Sequence, residues 1–309
     1  MDSSSLWIDA HVHIAQVLMG FGSRGEFYPA GNGKARWLTG GEKQIVPPGL
    51  GEDAFTYRDL LRLMDAQGIE RAVILQGPML GFHNEYVAEA VRSAPDRLTG
   101  LGSFDPYCLE SEKIMERLTE DLGFRGFKFE ISADNGLAGY HPDLDLRSEQ
   151  WTPVWETAQK KGLILSFDFG PIGGPSAKHI AQAAELAAAC PEVTWVMEHS
   201  FLPVPGSLEL FRGEVARMQK LENVFFTIAT IPSNFKKEGY PYRGSWPFLS
   251  ELKKQVGADR ILWGTDAPGT LFNTPYSGLK KYLLESGVFT QEELRRVVRE
   301  NALRLYWGK

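Results

Sequence analysis

Short apolar runs alternate with longer amphipathic stretches over nearly the whole chain. Eight runs carry apolar residues on consecutive or alternate positions: 5–10, 70–76, 97–104, 124–131, 163–169, 193–199, 223–229 and 259–266. Several are apolar at successive positions, as strands covered on both faces must be. Helical spacing marks 57–68, 84–94, 110–123, 152–162, 177–190, 208–221, 248–257 and 291–306. The first of these ends in Gly68, a plausible C-cap. Strand words separated by helices predict βαβ units and a parallel sheet. Their number suits a (β/α)8 TIM barrel. An open doubly wound sheet gives the same rhythm, but no strand word leads into GxGxxG or a P-loop, so nucleotide binding has no support.

Two segments break the rhythm. Residues 14–53, rich in Gly and Pro, follow the first strand directly and read as a lid-like insertion packed over the barrel. Residues 230–247 form a second long loop, aromatic and basic. No repeat, charge run or composition shift divides the chain, which reads as one domain over 1–309. The net charge of −6 argues against a general nucleic-acid binder. Cys108 and Cys190 are too far apart for a CxxC pair, which excludes a cysteine-rich metal site. No apolar run is long enough to span a bilayer, and MDSSSLWID lacks the features of a secretory signal. These features predict a soluble, cytoplasmic protein.

The candidate chemistry lies at the ends of the strand words, where barrel enzymes keep their sites. IDAHVH (8–13) carries His11 and His13 two apart, able to present two imidazoles to one point. Neutral imidazole is a good ligand for zinc and related ions. GTDAP (264–268) ends the eighth strand with Asp266. Its bland reading is a helix cap. Barrel closure would instead set it beside the two histidines, to ligate a metal or accept a proton from water. VMEHS (196–200) ends the sixth strand with His199 at the same rim. Glu198 points the other way if that strand is regular. Lys128 and Glu130 share one face of the fourth strand. His83 and His141 lie at loops, and His179 lies within a helix, where a surface position is expected.

Taken together, HxH on the first strand, His199 on the sixth and Asp266 on the eighth resemble the amidohydrolase superfamily. GFRGFKF (123–129), ILWGTDAP (261–268) and ENALRLY (300–306) are similar to motifs of the branch that includes aminocarboxymuconate semialdehyde decarboxylase and related metal-dependent hydrolases. The likeness runs from residue 6 to the closing helix. It implies one divalent ion, Zn or Mn, on His11 and His13. Asp266 would be ligand and proton acceptor, and His199 would orient water or substrate. It also implies homo-oligomers.

One position departs. The family's metal-binding His at the end of the fifth strand is replaced in SFDFG by Asp168. Three readings follow: Asp168 takes over as ligand, the site binds metal weakly, or the reaction runs without metal. Glu130 could compensate as a ligand, and Lys128 could be a carboxylated bridging lysine or an anion-binding one. The reaction implied first is hydrolysis of a lactone, amide or similar carbonyl of a small cyclic or aromatic carboxylate. Non-oxidative decarboxylation is the alternative, and a catalytically silent binding barrel a third. Phe27, Tyr28 and Trp37 of the insertion suit a flat substrate, and Arg36 or Arg243 a carboxylate.

Overall fold

The computed structural model describes residues 6–51 and 53–308. Ser5, at the start of the first predicted strand, and Glu52 of the insertion lie outside the described residues.

Strand β1 (Trp7–Val12) opens the barrel. The insertion follows as β2 (Gly20–Gly22), β3 (Gly25–Gly31), β4 (Lys34–Trp37) and β5 (Glu42–Gln44), which pair antiparallel in that order. The segment read as an irregular lid is therefore a small sheet. Then come α1 (Tyr57–Gln67), β6 (Ile69–Ile74), α2 (Asn84–Ser93), β7 (Leu98–Gly100), α3 (Ser111–Glu120) and β8 (Gly126–Glu130). The second half continues with α4 (Thr152–Lys161), β9 (Ile164–Asp168), α5 (Lys178–Ala189), β10 (Thr194–Met197), α6 (Leu208–Met218), β11 (Val224–Thr227), α7 (Trp246–Val256) and β12 (Ile261–Leu262). Helix α8 (Tyr276–Glu285), absent from the sequence reading, precedes α9 (Gln291–Arg295), which runs on through π-type turns to Trp307. Helix α1 shows how local chemistry sets the bounds. Thr56 and Asp59 form a capping box, and Gly68 closes the helix in the left-handed conformation (φ 65°).

The parallel strands form two arcs, β1-β6-β7 and β8 through β12. Both seams are closed by backbone hydrogen bonds. Gly102 N–H donates to Gly126 O at 3.0 Å and Lys128 N–H to Gly102 O at 2.8 Å. On the other side Ala10 N–H donates to Trp263 O at 3.0 Å, Asp266 N–H to His11 O at 2.8 Å and His13 N–H to Ala267 O at 2.8 Å. The result is the expected eight-stranded barrel.

Ile8, Ala10, Val73, Leu75, Leu101, Ile164, Val196 and Leu262 fill its lower interior, where Ala302 and Tyr306 of the closing helix pack against them. Each large apolar side chain buried there contributes about 1.5–3 kcal/mol. The larger apolar cluster lies between strands and helices, with Phe127, Phe129, Leu165, Phe167 and Trp195 among its members. No helix among the described residues is long and apolar enough to cross a membrane.

Candidate metal centre

His11 reaches the mouth because β1 breaks its own alternation. Ile8 and Ala10 point inward, so a regular strand would turn His11 out. Between Asp9 and Val12 the pairing with β6 slips by one residue, since Asp9 faces Ala72 but Val12 faces Ile74. This bulge turns His11 inward, and bulges recur beside active sites for this purpose. At the opposite seam Gly264 allows the close approach, because a Cβ there would meet His11 N at 2.9 Å and His11 Cβ at 3.0 Å. Asp266 follows in the left-handed region (φ 61°), which Asp tolerates better than most residues.

Strand β10 departs from alternation more sharply. His199, Ser200, Phe201 and Leu202 all have positive φ, from 46° to 65°. Such a left-handed turn costs roughly 1–2 kcal/mol per residue, and strain of this kind gathers at functional sites. It brings two successive side chains, Glu198 and His199, into the interior. Thr227 of β11 anchors the turn, accepting His199 N–H at 2.8 Å and donating its hydroxyl to Glu198 Oε2 at 2.7 Å. The expectation that Glu198 points away is overturned for this reason.

His11 Nε2 and His13 Nε2 lie 3.2 Å apart, with Asp266 Oδ1 2.9 Å from His13 Nε2 and 3.7 Å from His11 Nε2. Ligands about 2.0–2.1 Å from a tetrahedral ion stand roughly 3.3 Å from one another, so this triangle is of the size a zinc-like ion requires. Glu198 Oε2 lies 2.6 Å from His11 Nδ1, which leaves His11 Nε2 facing the triangle. A carboxylate behind a histidine in this way orients metal-binding imidazoles. Ser166 donates to Glu198 Oε1 at 2.6 Å, while Thr230 and Thr270 donate to Asp266 Oδ2 at 2.6 and 3.2 Å. Among the described residues, His11, His13 and Asp266 form one convergent donor group, and His11, Glu198 and His199 another.

Asp168 is set apart from that triangle. Its Oδ2 lies 3.3 Å from His199 Nε2, and its Oδ1 accepts Gly170 N–H at 2.7 Å. The other nitrogen of His199, Nδ1, lies 3.2 Å from Ala229 O. A carbonyl only accepts, so Nδ1 carries a proton, and Nε2 is left facing the Asp168 carboxylate. Burial alone would push His199 down, but the Asp168 carboxylate, with Asp266 and Glu198, carries it up to about 10. Burial likewise raises Asp266, yet the three nearby histidines hold it well below the usual carboxylate range. Burial pushes His11 down against the pull of Glu198.

Lys128 and Glu130 share a face as expected, and Lys128 Nζ donates to Glu130 Oε2 at 2.7 Å. Ser132 donates to Glu130 Oε1 at 2.6 Å. The Lys128 amine is thus engaged by a carboxylate.

His11, His13, Glu130, Asp168, His199 and Asp266 floor a cavity of about 540 Å³ whose wall includes Lys43, Gln44 and Ile45 from the insertion and Lys236 and Phe272 from later loops. Phe27, Tyr28, Trp37, Arg36 and Arg243 do not line it. Phe27 is buried against Trp37, Arg36 pairs with Glu42, and Arg243 lies over Trp246. His141 pairs with Asp105 at 2.7 Å, and His83 Nε2 lies 2.7 Å from Leu80 O. His179, expected at the surface, is buried against Gln182.

Known proteins share this architecture. A 4-sulfomuconolactone hydrolase from Rhizobium radiobacter is 24% identical over 224 residues, 70% of this chain and 67% of that protein. The crystal structure of an amidohydrolase from Burkholderia multivorans with bound zinc superposes with a TM-score of 0.71 at 14% identity, covering 98% of this chain and 99% of that one. A probable 2-pyrone-4,6-dicarboxylic acid hydrolase from Acinetobacter baumannii, with citric acid bound, gives 0.69 at 17% identity, again covering 98% and 99%. Residues 8–307, from the first barrel strand through the closing helix, match the amidohydrolase family, and the chain belongs to it.

Proposed function

We propose that the protein hydrolyses a small cyclic ester, a lactone bearing one or more acid groups, with one divalent ion held by His11, His13 and Asp266. The observation that carries this reading is the triangle of donor atoms at 2.9, 3.2 and 3.7 Å, backed by Glu198 on His11. Charge pairing supports it. Lys128 faces Glu130 and His199 faces Asp168, while the imidazoles paired directly with Glu198 and Asp266 are those of His11 and His13. One divalent cation balances those two carboxylates. In this reading Asp168 serves His199 rather than replacing the family's histidine as a ligand. The nitrogen and oxygen donors suit zinc or manganese.

When bound, such an ion supplies Lewis acidity toward a carbonyl and lowers the pKa of coordinated water. Asp266, steadied by Thr230 and Thr270, accepts the proton that an attacking water gives up. The buried His199 cation offsets the negative charge that develops on the carbonyl oxygen. Lys43 and Lys236, on the cavity wall, receive acid groups remote from the bond that breaks. The lactone-hydrolase relative and the pyrone-dicarboxylate hydrolase neighbour point to the same substrate class.

The test is metal content by elemental mass spectrometry on untagged protein purified without chelator, beside His11→Ala, with acid release and carbon dioxide followed on unsaturated lactone carboxylates. About one equivalent of zinc or manganese, lost in the variant, with acid released and no carbon dioxide, is expected. Carbon dioxide without ring opening would make the enzyme a decarboxylase. Protein that takes up neither metal and turns over nothing would sink the reading.

A further inference from the structure

Asp9 faces away from the cavity, buried between β1, the GTDAP turn and helix α8. Its carboxylate accepts four donors. Oδ1 takes the backbone N–H of His11 at 3.2 Å and of Thr265 at 2.9 Å. Oδ2 takes the Thr265 hydroxyl at 2.5 Å and the Tyr276 hydroxyl. The Thr265 hydroxyl in turn accepts Ala267 N–H at 3.1 Å, which commits its own proton to Asp9.

Two of these bonds lie on opposite sides of one barrel seam. The His11 N–H belongs to the bulge that turns His11 inward, where the ladder with β6 is out of step. The Thr265 N–H belongs to the residue before Asp266. A single oxygen therefore holds both strand ends that carry the donor triangle.

We propose that Asp9 is a positioning residue for the metal centre: its carboxylate fixes the β1 bulge and the GTDAP turn to each other, and so sets the distance from His11 Nε2 to Asp266 Oδ1. The inference rests on His11 and Asp266 acting as a metal pair, as proposed above. Tyr276 provides the contrast, because it reaches Asp9 from a helix and bonds Oδ2, not the Oδ1 that holds the two backbone N–H groups together.

Two measurements separate this role from simple packing. Zinc affinity is taken by chelator competition, and backbone hydrogen exchange over residues 8–14 is followed in the metal-free protein, each beside the melting temperature. Asp9→Asn should weaken zinc binding about 10- to 100-fold, as loss of an orienting partner does, and speed exchange across the bulge. Tyr276→Phe should lower the melting temperature while leaving zinc affinity within about twofold, since every bond from β1 and from the GTDAP turn to Asp9 remains, whereas Thr265→Val removes one of them and the acceptor for Ala267 N–H. Thr265→Val should weaken zinc binding by about tenfold and Thr265→Ser restore it, which keeps the test open if Asp9→Asn does not fold.

Asp9→Asn or Thr265→Val binding zinc like the parent would overturn the proposal. So would Tyr276→Phe losing as much affinity as either, which would mean packing alone. If the parent itself binds no zinc, the metal reading fails, and altered exchange in Asp9→Asn would still report the bulge clamp.

Discussion

At the closed end of the barrel Ile8, Val73 and Leu262 pack against Ala302 and Tyr306. About 10 Å further along the same strands, three histidines, four carboxylates and a lysine crowd the mouth. Apart from one slip of register between Trp7 and Ile8, the closed end keeps to strand alternation, with Ile8 and Ala10 on β1 and Val73 and Leu75 on either side of the end of β6 inward and apolar. The mouth violates it twice, at the β1 bulge and at the left-handed turn after β10. The lower end is therefore built for cohesion, and the upper end accepts backbone strain to bring more polar side chains to one point than regular strands can present. Stability and chemistry are separated along one axis, and substitutions at the two ends should separate in the same way.

The largest effect expected is on turnover. Asp266→Asn keeps the hydrogen-bonding size but removes the proposed proton acceptor, and should lower kcat by about 10²–10⁴-fold with little change in melting temperature. Steady-state kinetics beside thermal unfolding checks this. Leu262→Ala at the closed end should do the reverse, costing about 2–5 kcal/mol in denaturant unfolding while folded protein keeps its kcat. A variant in which both quantities moved together would break the division.

Glu198→Gln tests the mouth more finely. The amide can still meet Thr227 but no longer charges the bond to His11, so metal affinity should fall about 10- to 100-fold by chelator competition. The smallest effect concerns the closed end's rim. Arg299 grips Glu70 at 2.6 and 3.1 Å, tying the start of β6 to the closing helix. Its hydrogen bond holds the Glu70 carboxyl below the ordinary range. The folded pKa is depressed, so this stabilisation is present above about pH 4.3 and fades as pH falls through the folded value. The pair is partly exposed, so Glu70→Gln should cost about 0.5–1 kcal/mol at neutral pH and nothing in acid. Urea titrations at the two pH values decide it.

The same two departures from alternation mark what the sequence could reveal. His11, His13, His199 and Asp266 were legible as candidates because each ends or closely follows a recognisable strand word, and the barrel makes strand ends neighbours. Glu198 was not, because a period of two sends it away from His199 and only the positive-φ turn reverses that. A possible signal was its place beside His199, where two polar residues end an apolar strand. The barrel strands stood out through apolar continuity. The insertion's strands did not, being short and punctuated by glycine, although Gly31-Asn32-Gly33 carries hairpin chemistry. Helix α8 was missed despite Tyr276, Leu279, Tyr282 and Leu283 at helical spacing, because the Asn273–Pro275 stretch before it reads as loop. Asp168 lines the cavity at the end of β9, and which neighbour it faces depends on the turn that positions His199.

The insertion leaves and re-enters the barrel through a narrow neck. Ala15 and Phe55 exchange both backbone hydrogen bonds, at 2.8 and 3.0 Å, so the 39-residue excursion between them departs and returns at one residue pair. Mechanically it is a cassette. Its small sheet brings Lys43, Gln44 and Ile45 to the cavity wall, while His11, His13 and Asp266, on β1 and just past the ends of β1 and β12, sit on the barrel side of the neck. Descent with modification can therefore rewrite what the enzyme grips without touching what it does to it, and a library confined to residues 16–51 would retarget the pocket while leaving the reaction centre inherited intact.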